Sequence, residues 1–267
     1  MARTSNLRLP AGVSVPGWLV AAFLLLPLLV VFPVSLTDQT FLSLPKETVS
    51  LEHFRRLFKS VDWLSSAGQS IAIAAASACL AVIFGTLAAL GCWRSRSKLV
   101  PMIQVLMVSP LIVPPLVYAL GYYRLLLKAG LLDTFSGVVL AHAVTSIPYV
   151  FITVTASLAG FDRRLELAAK SMGATTYQAL RRVVLPNVLP GLLSGAILSF
   201  IHSWDEIVIV LFIASRNVYT LPRRIWDGVR YDLDPMMAAA AAVLITLSIA
   251  LLVVNLLVKS NGSFSKS

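Results

Sequence analysis

The sequence predicts an all-α membrane protein with six transmembrane helices, and its composition and charge-free runs predict this class. Hydrophobic residues make up 58% of the 267 positions and charged residues only 13%, whereas soluble domains have about a quarter charged residues and under half apolar ones. A single soluble core of this length would leave large apolar patches exposed. The same composition excludes intrinsic disorder. The chain therefore belongs in a bilayer, surrounded by lipid.

Six long runs free of Asp, Glu, Lys and Arg mark the spans, and each exceeds the ~20 apolar residues that a helix needs to cross the hydrocarbon core. Arg3 and Arg8 precede the first run as they would in a signal peptide, but no small-residue cleavage site follows it, so we expect an uncleaved anchor. The fifth run continues past an acidic pair. Within one transmembrane domain covering 1–267, the expected spans are about 13–36, 66–93, 99–123, 136–160, 188–214 and 235–258.

The net charge of +10 at first suggests a nucleic-acid partner, but in a membrane protein it is better explained by topology. Six spans place both termini on one side of the membrane. The segments on that side contain 12 basic and 2 acidic residues, whereas those on the other side contain 10 and 8. By the positive-inside rule, both termini are expected in the cytoplasm. No nucleic acid is expected as a partner.

Prolines indicate where the third span is irregular. Pro114 and Pro115 are adjacent in the middle of that span. A single proline is usually a packing kink, but two together favour a helix that is interrupted at a transport pathway.

The loop at 162–186 has the pattern of a folded element. Asp162 can cap a helix in which Leu165, Ala168, Ala169 and Met172 have the spacing of one apolar stripe. Gly173 then stands where a helix would end in a left-handed conformation. We therefore predict a short helix and a glycine turn.

A second short helix is predicted to follow the glycine turn. Thr175 and Gln178 have the spacing of a capping box, and Tyr177, Leu180 and Val184 share one face. We expect Leu185-Pro186 to end this helix before the fifth span opens at Pro190-Gly191. The loop is either an amphipathic connector lying on lipid or a knob that fits a groove in a partner protein.

The segment Leu167–Gly173, followed by Val183–Pro186, resembles the EAA motif of ABC importer permeases. The resemblance implies a type I ABC importer permease fold and a coupling helix that docks on a cytoplasmic ATPase. The motif usually begins with Glu where this chain has Leu167, and Glu166 lies one residue earlier, about 100° around the helix. The coupling residues implied are Glu166, Leu167, Ala168, Ala169, Gly173, Ala174, Leu185 and Pro186.

Shorter motifs resemble the spermidine/putrescine permease subfamily, in particular its C-type subunit. They are Ser203–Ile207, Thr220–Pro222, Ile225-Trp226, Asp234-Pro235, Ser109-Pro110 and Gly160–Asp162. The resemblance implies a multi-pass protein of the bacterial inner membrane, in contact with membrane lipid. It also implies a second homologous permease, two ATP-binding cassette ATPases and a periplasmic solute-binding protein as partners. A polyamine, or a related small cationic or opine-like compound, would be the solute.

Small residues repeat every four positions in the fifth span, a pattern typical of close helix packing but also of a helix lining a path. They are Gly191, Gly195, Ser199 and Ser203. Asp205 and Glu206 follow, and carboxylates within a span should face protein or water because facing lipid is costly. They are either a structural cluster or an attraction site for a cationic solute. The predicted path residues are Ser199, His202, Ser203, Trp204, Asp205 and Glu206.

No P-loop sequence is present, so ATP and Mg²⁺ are expected on a separate ATPase chain. We predict neither a catalytic nor a metal site here, and His142 is expected to be a hydrogen-bonded helix contact. One alternative function is an ion- or proton-coupled secondary transporter or channel that uses Asp205, Glu206 and His202 as a relay. Another is an intramembrane enzyme with the acidic pair as a dyad.

Overall fold

The structure is a computed structural model that describes residues 11–231 and 234–264. Within these ranges the chain folds into twelve α-helices without strands. They are α1 (Ala11–Ser35), α2 (Glu52–Lys59), α3 (Val61–Arg94), α4 (Val100–Val108), α5 (Pro115–Ala129), α6 (Phe135–Ala159), α7 (Arg163–Ser171), α8 (Thr176–Ala179), α9 (Leu185–Asp205), α10 (Val208–Ile213), α11 (Leu221–Tyr231) and α12 (Met236–Phe264).

Five helical stretches in the described residues are long and apolar enough to cross a membrane, and a bent pair supplies a sixth. The five are Pro16–Ser35, Val61–Arg94, Phe135–Ala159, Thr176–Asp205 and Met236–Leu257. This agrees with the predicted six-helix membrane fold.

The third span is a broken helix. Val100–Leu111 and Pro115–Ala129 meet at an angle of 99°, where the sequence predicts one span at 99–123 with an interruption at its paired prolines. A residue that precedes proline is disfavoured in the helical conformation, and Pro114 accordingly has an extended backbone with ψ of 137°. The proline pair therefore divides this span.

The fifth span differs from its prediction at both ends. Leu185-Pro186 does not end a helix, because the chain is helical from Thr176 to Asp205. A π-helical turn at Leu180–Val184 precedes Pro186, with the Leu185 amide bonded to the Leu180 carbonyl. This wider turn accommodates a residue that has no amide proton to donate. Past Asp205, the predicted continuation to 214 is the separate helix α10.

The contacts divide the described chain into two compact units. One consists of the described residues up to Ser60 together with Gly228–Ile245, and the other of Val61–Asp227 together with the described residues from Thr246 onward. In the first unit, α2 buries His53 and Leu57, and an ion pair of 3.2 Å joins Arg56 to Asp234.

The core of the second unit is formed by α3, α6 and α9, which pack on one another. The small residues of α9 allow this close approach. A Cβ added to Gly195 would lie 2.8 Å from the Val150 Cα of α6, which is too close for any larger residue. Ser199 lies on the same face of α9 and donates to the Ser146 carbonyl at 3.1 Å. The repeat of small residues is therefore a packing seam.

Candidate functional site

The 162–186 loop begins with the predicted helix and turn. Asp162 caps α7, because its carboxylate accepts the Arg164 amide at 2.9 Å. At the other end Gly173 has a φ of 88°, and its amide bonds to the Lys170 carbonyl at 3.0 Å. The Ala174 amide bonds to the Ala169 carbonyl at 3.1 Å. These two bonds form a Schellman motif, which requires a left-handed residue at the glycine position. The predicted cap and glycine turn are confirmed.

The capping box that starts α8 is also confirmed. The Gln178 amide donates to the Thr175 hydroxyl at 3.2 Å, and the Thr175 amide donates to the Gln178 side-chain oxygen at 2.8 Å. Both bonds join residues three apart, so the turn between α7 and α8 is stabilised by its own sequence.

The loop presents apolar side chains outward. Leu167 is 62% exposed, Met172 84% and Tyr177 68%. The predicted apolar stripe is not a buried face, because Ala169 is its one buried member while Leu165, Ala168 and Met172 are exposed. A cleft of about 380 Å³ opens between the two arms of the loop and is lined by Ala169, Gly173, Ala174, Gln178 and Arg182, among others.

Glu166 is turned toward its own chain. Its side chain is 11% exposed and lies 2.8 Å from Arg94 of α3 and 3.0 Å from Lys170. Burial opposes ionisation of this carboxyl, but the hydrogen bond from Lys170 and the charge of Arg94 outweigh burial and lower the Glu166 pKa. Glu166 therefore offers no exposed carboxylate in place of the glutamate that Leu167 replaces.

A second site lies where α9 ends. Asp205, Glu206 and His202 line a cavity of about 270 Å³ together with Tyr149, Leu198 and Ile201. Glu206 accepts the Ile209 amide at 3.1 Å and so caps α10. Asp205 is exposed and lies 3.4 Å from the Ser248 hydroxyl of α12. The acidic pair thus combines a helix cap with a carboxylate that is open to the cavity.

Three of the predicted path residues lie elsewhere. Ser199 is fully buried in the seam, and Ser203 lies 2.8 Å from the His142 ring nitrogen with 4% exposure. Trp204 is 2% exposed and stacks on Phe200. Because these side chains are enclosed by helix packing, Ser199, Ser203 and Trp204 do not line this cavity, and their place on a solute path stays a prediction. The prediction that His142 is a hydrogen-bonded helix contact is confirmed.

Tyr149 is a site residue that the sequence did not reveal. Its ring lies 5.0 Å from the His202 ring between centroids, and its hydroxyl lies 3.4 Å from His202 Nδ1. Tyr149 is on α6, and no local spacing connects it to the acidic pair. Only the packing of α6 on α9 brings the aromatic face to the carboxylates.

Comparison with known proteins identifies relatives over most of the chain. The family model described as "Binding-protein-dependent transport system inner membrane component" matches residues 81–261. The spermidine/putrescine transport system permease protein PotC of Haemophilus influenzae is 32% identical over 241 residues, 90% of this chain and 93% of that protein. The trehalose transport system permease protein SugB of Mycobacterium tuberculosis is 29% identical over 245 residues, 88% of each.

A chain in the crystal structure of a bacterial ABC transporter involved in the import of the acidic polysaccharide alginate has the same fold. The TM-score is 0.65 at 16% sequence identity, and the match covers 94% of this chain and 96% of that one. At this identity the similarity establishes the fold, which is that of type I ABC importer permeases.

Proposed function

The chain belongs to the family of binding-protein-dependent transport system inner membrane components, and on that premise we propose how it connects ATP hydrolysis to the movement of a solute. Family membership makes it a multi-pass permease component of an ABC importer. A secondary transporter and an intramembrane enzyme, the two alternatives considered above, belong to other classes of protein. The proposal concerns which residues meet the ATPase and which meet the solute.

The 162–186 loop is proposed as the docking site for a cytoplasmic ATPase. The supporting observation is that this ordered loop exposes large apolar side chains, those of Leu167, Met172 and Tyr177. An apolar surface on a rigid loop is the chemistry of a protein interface. Ala168 adjoins this surface, Ala169, Gly173 and Ala174 line its cleft, and Leu185 and Pro186 continue it into α9.

The proposed complex contains this chain, a second homologous permease, two ATPase subunits that hold ATP and Mg²⁺, and a periplasmic binding protein in a bacterial inner membrane. Closure of the ATPase pair on ATP moves the loop as a lever. Because α8, the π turn and α9 form one continuous helix, the displacement passes directly into the span that carries Asp205. Hydrolysis returns the path to its inward-facing state.

The docking role is tested by Gly173→Asp in the assembled importer. The new carboxylate would project into the cleft between the arms of the loop, so we expect ATPase activity stimulated by the binding protein to fall at least about tenfold. Gly130→Asp is the matched control, because Gly130 also has positive φ, at 68°, but ends α5 outside the loop. Normal stimulation in Gly173→Asp would contradict docking at this loop.

The solute is proposed to be a small organic cation of the polyamine class, such as putrescine or spermidine, or a related opine-like compound. PotC, which is named for spermidine and putrescine, and SugB, which is named for trehalose, are both relatives. Membership in the family therefore leaves the solute open. The cavity favours a cation, because Asp205 and Glu206 supply negative charge and Tyr149 an aromatic face, a combination suited to ammonium groups.

Uptake of radiolabelled putrescine by Asp205→Asn and Glu206→Gln variants tests this assignment. We expect at least about a tenfold loss in each, because each removes a negative charge that attracts a cation to the cavity. Glu206→Gln keeps a side-chain oxygen that can accept the Ile209 amide and cap α10. A loss of uptake in this variant would therefore reflect the lost charge and not an unfolded helix. Glu47→Gln, which removes an exposed carboxylate outside the cavity, is the control. Unchanged putrescine uptake by both variants, with the ATPase still bound, would refute the assignment.

A further inference from the structure

Helix α3 is bonded at both ends to loops that are distant in sequence. It has 34 residues, long enough to span the bilayer. Between its ends it packs on α6 and α9. Side-chain bonds at its two ends therefore make α3 a direct link between the docking loop and a second connection.

At its Arg94 end, α3 is held by α7 of the docking loop. The Arg163 guanidinium donates to the Trp93 carbonyl at 2.6 Å and lies 4.6 Å from the centre of the Trp93 ring. That carbonyl is among the last in the helix, which lack a partner within the helix. The ion pair between Arg94 and Glu166, at 2.8 Å, is a second bond between the same two helices.

At the opposite end, α3 is held by the connection between α10 and α11 and by the first turn of α11. Gln69 accepts the Tyr219 amide at 2.9 Å, and Ser70 accepts the Leu221 amide at 2.8 Å. One turn away, Arg224 donates to the Ser66 hydroxyl at 2.7 Å. Residues three and four apart share one face of a helix, so the three acceptors form a single strip about 35 Å from Arg94.

We propose that α3 is a strut that transmits movement of the docking loop to the α10–α11 connection on the other side of the membrane. Glu166, Arg94 and Arg163 are then positioning residues that fix α7 to the strut. Since α7 also continues into α9 through α8, one displacement drives two helices that pack against each other. The inference rests on the proposed docking function, because the ATPase has to act on α7.

The mechanism predicts that breaking either end uncouples transport without releasing the ATPase. In the assembled importer, we expect Glu166→Gln and Arg94→Met each to lower binding-protein-stimulated ATPase activity about tenfold, the effect of losing one charged hydrogen bond. The double variant should lose no more than Glu166→Gln alone, because Glu166→Gln already removes the bond to Arg94, together with the bond to Lys170. Ser70→Ala, at the far end, should lower stimulation at least about fivefold, since it leaves a buried amide without an acceptor.

Matched controls separate these effects from loss of charge or of a hydroxyl. Arg96→Gln removes an exposed charge just beyond the end of α3 and outside the docking loop, and Ser65→Ala removes an exposed hydroxyl from the first turns of α3. Both variants should behave as the wild type. Copurification of the ATPase is measured for every variant.

The outcomes distinguish the strut from the docking proposal. Stimulation within twofold of wild type in Glu166→Gln overturns the strut, as does additive loss in the double variant. Release of the ATPase by Glu166→Gln also overturns it, because Glu166 would then be a docking contact. If Gly173→Asp has no effect, the docking proposal itself fails. Uncoupling at both ends of α3 with the ATPase retained supports the strut.

Discussion

Helix α3 contacts both the 162–186 loop and the 213–221 segment, and the turns within these two connections are ordered by opposite kinds of contact. In the first, the side chains of Asp162 and Thr175 and the amide of Gly173 form bonds to residues two or three positions away. In the second, the bonds come from residues about 80 to 150 positions away, namely Asp133, Gln69 and Ser70. Local bonds form as soon as the helices form, whereas distant bonds require the helices to be assembled first. The first connection therefore moves as one body, and the second takes its shape from the positions of its neighbours.

Asp133 is the main support of the 213–221 segment. It has a φ of 54°, and its carboxylate accepts the amides of Ser215 at 2.8 Å and Arg216 at 3.0 Å. The amides of Asn217 and Val218 also point to it. Burial opposes ionisation of this carboxyl, but the four backbone bonds outweigh it and hold the Asp133 pKa well below its usual range.

The largest effect is expected for Asp133→Asn, which removes the charge but keeps a residue that tolerates positive φ. Local opening of the segment should become easier by about 2 kcal/mol, the effect of losing charged hydrogen bonds. Hydrogen exchange of the 215–218 amides measures this and should accelerate roughly 30-fold. Because folding lowers the Asp133 pKa, the stabilisation is complete above the unfolded value of about 3.9 and is lost as the pH falls below it.

The exposed residue Asp62, near the start of α3, supplies a control for Asp133→Asn. Asp62→Asn makes the same chemical change and should leave exchange at 215–218 unchanged. If Asp133→Asn also left that exchange unchanged, the segment would be ordered by its own sequence, and the contrast between the two connections would disappear.

The same contrast explains what the sequence can and cannot predict. The cap at Asp162, the turn at Gly173 and the Thr175–Gln178 capping box follow from spacing, because each bond forms within one or two helical turns. Six spans follow from runs of apolar residues longer than a bilayer is thick.

Other features depend on which helices pack against each other, and the local spacing of residues in the sequence does not predict those contacts. The repeat of Ser199 and Ser203 fits a path as well as a seam, and only the contact of α9 with α6 decides for packing. Glu166 is directed inward by Arg94, 72 residues away. Tyr149 and Asp133 have no local signal at all, because the partner of Tyr149 lies on another helix and the partners of Asp133 lie in the distant 213–221 segment.

The smallest effect is expected for Thr175→Ala, and it tests whether the 162–186 loop is ordered by several local bonds together. Loss of the capping box should cost about 1 kcal/mol, while the Schellman motif at Gly173 and the ion pair of Glu166 remain in place. Exchange of the Gln178 amide should accelerate modestly, and putrescine uptake should stay within about twofold of wild type. Thr176→Ala removes the neighbouring exposed hydroxyl and should change neither. If Thr175→Ala uncoupled transport as fully as Gly173→Asp, a single bond would order the 162–186 loop. The loop would then depend on one residue, as the 213–221 segment depends on Asp133.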